Sequence, residues 1–75
     1  MDDHLLVAFG AHVKKLRLSN SLSQEQLALK ADIDRTYISG IERGKRNVSI
    51  INLFKIAHAL NIPATKLLDF AVEDR

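Results

Sequence analysis

The stretch that decides the fold is QEQLALKADIDRTYISGIER, residues 24–43. Apolar residues recur at helical spacing on both sides of its break, ADID, which predicts two short helices joined by about three residues. So short a connection prevents antiparallel packing, and the helices must cross at a large angle. The crossing needs a small residue beneath the later helix, an apolar residue in the elbow and apolar anchors. The sequence supplies Ala28, Ile33, Ile38 and Ile41.

Three more helices are predicted around this pair, so the expected fold class is all-α, a compact domain of five helices. The first covers residues 4–19, the fourth residues 50–60 and the fifth about residues 64–73. Asn20 and Ser21 are expected to end the first helix, because asparagine tolerates the left-handed conformation common at helix ends. No segment has the period-two alternation of a strand.

Polar side chains mark the predicted helix starts. Ser23 and Gln26 match a capping box, and Asp34 and Ser49 are expected as N-caps. The core should be aliphatic, since only 5% of the residues are aromatic and tryptophan is absent. Besides the helix pair, its expected members are Leu5 or Leu6, Phe9, Val13, Leu16, Leu27, Ala31, Ile50, Leu53, Ile56, Ala57, Leu60, Leu67, Leu68 and Ala71.

The length of 75 residues predicts a single domain, residues 1–75, with no room for a second, ligand-sensing domain. We therefore expect no cofactor and no small-molecule ligand. Cysteine is absent, which excludes disulfides and thiolate zinc sites and fits a reducing compartment. No apolar run approaches the ~18 residues of a membrane span, and the start MDDHLLVAFG is acidic, unlike a signal peptide. A cytoplasmic protein without a membrane partner is expected.

The net charge of +2 is small, but the charges are unevenly distributed. Residues 35–46 contain four cations and one acid, a local charge of +3, whereas residues 69–75 contain three acids and one cation, a local charge of −2. The cations of the first segment are Arg35, Arg43, Lys45 and Arg46. Positive charge gathered in one part of a chain indicates a surface that faces phosphates.

The stretch QEQLALKADIDRTYISGIER resembles the helix-turn-helix of the phage Cro/repressor (XRE-like) superfamily, and the resemblance covers almost the whole chain. The run DRTYISGIERGKRN followed by VSIINLFKIAHAL is most similar to controller proteins of bacterial restriction-modification systems. The resemblance implies a helix-turn-helix at residues 23–43 and a dimerisation region at residues 49–75. Ser21 and Asp32 stand where the family often has glycine, although aspartate adopts the left-handed conformation at modest cost.

In that superfamily the third helix enters the major groove with its N-terminal residues toward the bases. This implies base contacts for Arg35, Thr36 and Ser39. The chemistry agrees, because arginine donates two hydrogen bonds to guanine and threonine offers a methyl group and a hydroxyl suited to thymine. Gly40 would leave space beside them for close approach. The alternative is that all three are ordinary solvated residues of an exposed helix.

The resemblance also implies a set of phosphate contacts, which fix register without reading sequence. They are Gln24, Tyr37, Arg43, Arg46 and Asn47. Gln24 stands at the start of the second helix, where backbone N–H groups and the helix dipole favour an anion. Tyr37 has an alternative role, in which its ring packs against the domain. Lys45 is expected to be an ordinary loop cation.

Two further sets of residues are expected to be structural. Arg17 and Glu42 correspond to a buried ion pair that recurs in the superfamily and links the first helix to the third. Apolar residues left over when the core is filled often mark an interface, and here they predict a dimer seam at Ile51, Phe54, Phe70 and Val72. The alternative for Phe70 is that it folds back into its own small core.

These features predict a sequence-specific transcriptional regulator that binds double-stranded operator DNA as a homodimer. Likeness to the controllers implies palindromic operators upstream of its own gene and of an endonuclease gene, with the RNA polymerase sigma subunit as a further partner. Three alternatives stay open: a phage-type or antitoxin-like repressor, a protein-interaction module using the same helices, and a nonspecific DNA-coating protein.

The sequence shows no catalytic constellation. Ser23 and Ser49 are interpreted as helix caps, since no histidine stands in a recognisable relation to either. The three histidines have neither metal-like spacing nor carboxylate neighbours and are expected at the surface. We therefore expect no enzyme activity and no metal site.

Overall fold

The computed structural model describes residues 2–72, and within that range it contains five α-helices and no strand. The helices are α1 (Asp2–Ser19), α2 (Gln24–Ala31), α3 (Arg35–Glu42), α4 (Ile50–Ala59) and α5 (Ala64–Leu67). The all-α prediction is therefore confirmed. No helix of residues 2–72 combines the length and the apolar character needed to cross a bilayer.

The helix starts lie where the cap residues predict them. The Ser23 hydroxyl accepts a hydrogen bond from the Gln26 N–H at 3.0 Å, and the Gln26 side-chain oxygen accepts one from the Ser23 N–H at 2.7 Å, which completes the capping box. Asp34 and Ser49 each accept a hydrogen bond from a backbone N–H in the first turn of their helices, at 2.7 and 3.1 Å. These bonds satisfy donors that have no partner inside a helix.

Three non-glycine residues adopt the left-handed conformation at the turns. They are Ser21 with φ of 58°, Asp32 with φ of 57° and Asn61 with φ of 59°. The first two are the positions at which the family often has glycine, which explains that preference, because glycine has no side chain to oppose this conformation. At the end of α1 the left-handed residue is Ser21, whereas the sequence favoured its neighbour Asn20.

The core lies between α1, α2, α3 and α4 and is closed at one end by α5. The expected small residue and anchors, Ala28, Ile38 and Ile41, are buried, and Ile33 packs against them from the elbow. The other large members of the core are Phe9, Val13, Leu27, Leu53, Ile56, Leu60 and Leu67. Together with Ile38 and Ile41 of α3, they come from all five helices, so each helix depends on the others for burial.

The prediction was wrong at the edges of the core. Ile50 is 67% exposed, because it is the first residue of α4 and lies one turn beyond the packed layer. The fifth helix ends at Leu67, whereas the prediction continued it to about residue 73. Residues 73–75 lie outside the described range. Leu67 is fully buried, whereas Leu68, which directly follows the end of the helix, is exposed, as is Ala71.

α1 and α3 cross in close contact at Gly10, which is buried in the middle of α1. A Cβ atom at this position would overlap the backbone carbonyl oxygen of Ile41. Glycine disfavours a helix by roughly 1 kcal/mol relative to alanine. At Gly10 that cost is offset by the close packing of the α1 backbone against the α3 backbone, which any side chain would prevent.

Arg17 and Glu42 form the ion pair that the resemblance predicts, with side chains 7% and 2% exposed. Arg17 donates to both carboxylate oxygens of Glu42, from Nε at 2.6 Å and from Nη2 at 2.9 Å. Its Nη1 donates to the carbonyl oxygen of Leu22 at 2.7 Å, and the Gln24 amide donates to Glu42 at 3.0 Å. One network thus joins α1, the turn after it, α2 and α3. The hydrogen bonds to Glu42 raise the pKa of Arg17, although burial acts to lower it.

Replacing Glu42 by alanine should strongly destabilise the domain, because Arg17 would stay buried without its counter-charge. We expect the free energy of unfolding, measured with urea, to fall by roughly 3 to 5 kcal/mol. Glu25→Ala, which removes an exposed carboxylate from α2, should change it by less than about 0.5 kcal/mol. A loss below about 1 kcal/mol for Glu42→Ala would show that the pair does not hold the fold.

Candidate nucleic-acid interface

The start of α3 presents polar side chains to the outside of the domain. Asp34 caps the helix through its hydrogen bond to the Thr36 N–H, so Arg35 is the first helical residue. Arg35 and Thr36 are exposed and Ser39 is partly exposed, while Ile38 on the opposite side is completely buried. The buried anchor fixes which face of α3 points outward, and the three predicted base-contact residues belong to that face or its edge.

The charge of this face is more positive than a count along the sequence suggests. Glu42, the acid within residues 35–46, turns inward to Arg17 and is almost fully buried. The four cations of the same segment are all exposed: Arg35, Arg43, Lys45 and Arg46. Since this acid is paired inside the domain, residues 35–46 retain four exposed cations, and the neighbouring exposed acids are Asp32 and Asp34. Such a face attracts a polyanion.

Tyr37 joins α3 to the loop that follows it. Its hydroxyl donates to the carbonyl oxygen of Asn47 at 2.6 Å, and its ring is partly buried against the core. The guanidinium of Arg46 lies over the ring, 5.7 Å from its centroid. This matches the alternative in which Tyr37 packs against the domain. The hydroxyl proton that would donate to a phosphate already donates to the carbonyl oxygen of Asn47.

Gln24 is also held within the domain. It is the first residue of α2, is partly buried, and donates from its side-chain amide to Glu42. The amide group has two N–H donors, so this bond leaves one for another acceptor. The arrangement places Gln24 beside the ion pair as well as at a helix N-terminus.

The predicted dimer seam divides into two parts. Ile51 and Phe54, 66% and 57% exposed, share one face of α4 with Lys55 and His58, and this face borders a shallow groove. Ile50 lines the same groove, although its helical register predicted a core position. The feature of the sequence that indicates its exposure is its position directly after the Ser49 cap, in the first turn of α4.

Phe70 is placed differently from the prediction. It packs against its own domain, with ring centroids 5.8 Å from Phe9 and 5.5 Å from His12. This is the alternative left open by the sequence, and it reduces the surface that Phe70 offers to a partner. Val72 is partly buried. His12, expected at the surface, is partly buried too, and its Nε2 donates to the carbonyl oxygen of Lys66 at 2.8 Å.

Comparison with known proteins agrees with this geometry. A family model described as "Helix-turn-helix" matches residues 13–67. Control protein C.BamHI of Bacillus amyloliquefaciens is 51% identical over 71 residues, covering 93% of this chain and 88% of that protein. The crystal structure of the restriction-modification controller protein C.AhdI from Aeromonas hydrophila has a TM-score of 0.82 and 48% identity, covering 83% of this chain and 94% of that one.

A third relative has been solved with nucleic acid. C.Esp1396I bound to a 19-base-pair DNA duplex has a TM-score of 0.79 and 42% identity, and the likeness covers 87% of each chain. This chain therefore belongs to the helix-turn-helix family, and within it to the restriction-modification controller proteins.

Removing the Tyr37 hydroxyl should loosen the loop after α3. In Tyr37→Phe the ring keeps its packing but the bond to Asn47 is lost, so the free energy of unfolding should fall by about 0.5 to 1.5 kcal/mol. Amide hydrogen exchange should accelerate within residues 45–48 and stay unchanged in α1. Unchanged exchange in that loop would contradict the anchoring role of Tyr37.

Proposed function

We propose that this protein binds a palindromic operator as a homodimer and thereby regulates transcription. One observation carries the proposal: α3 points Arg35, Thr36 and Ser39 outward among exposed cations, while its own acid, Glu42, is buried in an ion pair. Exposed cations around polar side chains, with the nearby acid paired inside the domain, suit a polyanionic partner. The DNA-bound state of the relative C.Esp1396I supports the same function for this chain.

Base recognition is assigned to the first turns of α3. Arg35 would donate to guanine O6 and N7, and Thr36 would meet a thymine methyl or a base edge. Ser39 lies one turn further on and would contact the next base edge. The Asp34 cap supports this role, because it starts the helix at Arg35, and the N-terminal residues of such a helix are those that would face the bases.

Phosphate binding is assigned to residues around α3 and at the start of α2. Arg43 and Arg46 are exposed cations suited to the DNA backbone, and Asn47 follows them in the same loop. Gln24 would use its remaining amide donor and the helix N-terminus. Tyr37 would contact a phosphate only by releasing Asn47, so its contribution is expected to be smaller than that of the arginines.

Dimerisation is assigned to the exposed face of α4. Ile51 and Phe54 are large apolar side chains that the monomer leaves in water, and burying them against a second copy would be favourable. Phe70 and Val72 would contribute at the edge.

The regulatory role follows from these parts. With a single domain and no ligand-sensing part, as the length predicts, the natural input would be the concentration of the protein itself, through dimerisation and operator occupancy. We infer that it acts in the bacterial cytoplasm by binding, without catalysis or a small-molecule ligand. A dimer bound near a promoter would recruit RNA polymerase through the sigma subunit or block it, depending on where its operator lies.

The test of specificity is selection of binding sites from a random duplex pool. We expect one palindromic sequence with half-sites about one helical turn apart, bound ~10³-fold or more above random DNA. Recovery of no preferred sequence would favour a nonspecific DNA-coating protein. Binding of no duplex at all would favour a protein-interaction module.

Arg35→Ala should cost about 1 to 3 kcal/mol on the selected operator and relax the preference at one base pair, whereas Arg46→Ala should weaken all sequences alike. Fluorescence anisotropy with the operator and its single-base variants measures both effects. Lys66→Ala removes an exposed cation from α5 and serves as the control for charge loss. A full base preference retained by Arg35→Ala would disprove base reading by Arg35.

Phe54→Asp should convert the dimer into monomers, because a carboxylate buried in an apolar seam has no partner. Sedimentation velocity measures the change, and operator affinity should fall with it. Leu29→Asp, at an exposed leucine on α2, is the matched control and should leave the dimer intact. Dimers that persist in Phe54→Asp would place the seam elsewhere.

A further inference from the structure

The segment after α3 folds back across the helix that precedes it. The N–H of Lys45 donates to the carbonyl oxygen of Gly40 at 2.9 Å, which turns the chain back toward α3. Two residues later, the carbonyl oxygen of Asn47 accepts the Tyr37 hydroxyl. Hydrogen bonds therefore hold the backbone on both sides of Arg46. The Cα atom that carries the Arg46 side chain is fixed in position by them.

The side chain of Arg46 fills the space that Gly40 leaves. Gly40 is buried, and a Cβ atom on it would lie 2.5 Å from the Cγ of Arg46, 3.4 Å from its Nε and 3.5 Å from its Cδ. The sequence predicted that this space allows close approach of the DNA. In the structure the aliphatic part of Arg46 occupies it.

Tyr37 forms the other wall of the same slot. It precedes Gly40 by three residues, so the two lie on one face of α3. The ring carries the guanidinium of Arg46 at 5.7 Å from its centroid, a cation–π geometry. Gly40 and Tyr37 together confine a side chain that would otherwise sample many rotamers.

We infer that Gly40 is a positioning residue, which confines Arg46 so that its guanidinium is held ready for the DNA. The inference rests on the proposed function and adds a specific cause to it. A rotamer-rich side chain that is ordered before binding loses less entropy in the complex, which is worth roughly 2- to 10-fold in affinity. Glycine is the poorest helix former apart from proline, so the slot also accounts for its presence inside an eight-residue helix.

The test is a double-mutant cycle on operator binding. Gly40→Ala introduces the methyl group that displaces Arg46, and should reduce affinity by roughly 2- to 10-fold in the wild-type background. In the Arg46→Ala background the same change should reduce it less than about 2-fold, because no side chain is left to displace. An equal loss in both backgrounds would overturn the inference, since the methyl group would then obstruct the DNA itself.

Lys45→Ala provides the matched control. Lys45 is an exposed cation in the same loop, next to Arg46 in sequence. The loss caused by Gly40→Ala should be as large in the Lys45→Ala background as in the wild type. A loss that disappears there as well would show that Gly40 acts on the loop as a whole, and would overturn the assignment to Arg46.

Nuclear magnetic resonance tests the slot without DNA. In the wild-type protein, the Gly40 α-protons should show nuclear Overhauser contacts to the Arg46 side chain, and the Arg46 resonances should carry ring-current shifts from Tyr37. Gly40→Ala should keep the helical fold but lose both signals. Wild-type protein without these contacts would overturn the inference even if it binds its operator normally. Wild-type protein with them that binds no duplex would refute the proposed function and, with it, the inference.

Discussion

The buried pair of Arg17 and Glu42 is the interaction on which the rest of the structure depends. It binds α1 to α3, and its further hydrogen bonds reach Leu22 before α2 and Gln24 at the start of α2. Removing either charge leaves the other in an interior that cannot solvate it. The same pair also removes the negative charge of Glu42 from the outer face of α3. One contact thus holds α3 against α1 and also increases the positive charge that residues 35–46 present to solvent.

Close backbone packing complements this pair. Gly10 lets α1 approach the carbonyl of Ile41, and Ala28 lets α3 pass over α2, so α3 is held from two sides. A helix of eight residues is too short to be stable alone in water. Its rigidity is supplied by its neighbours, and rigid placement is what allows a few side chains to meet base edges at fixed positions.

The loop after α3 belongs to the same functional unit. The backbone of Lys45 and Asn47 and the side chain of Arg46 contact Gly40 and Tyr37, so the loop is held against α3. The apolar face of α4 begins directly after this loop. The helix, the loop and the apolar face to which base reading, phosphate binding and dimerisation are proposed are therefore successive parts of one continuous stretch of chain.

The sequence by itself determined the helix starts, the crossing of α2 and α3 and the family. Caps such as Ser23 and Asp34 form hydrogen bonds within three residues of the chain, and a short turn restricts the angle between its two helices whatever packs around them. Only the tertiary structure decided that Phe70 folds onto Phe9, that Ile50 is exposed and that Arg46 fills the space at Gly40. Periodicity gives the face on which a residue lies, but which neighbour covers that face depends on contacts between segments distant in the chain.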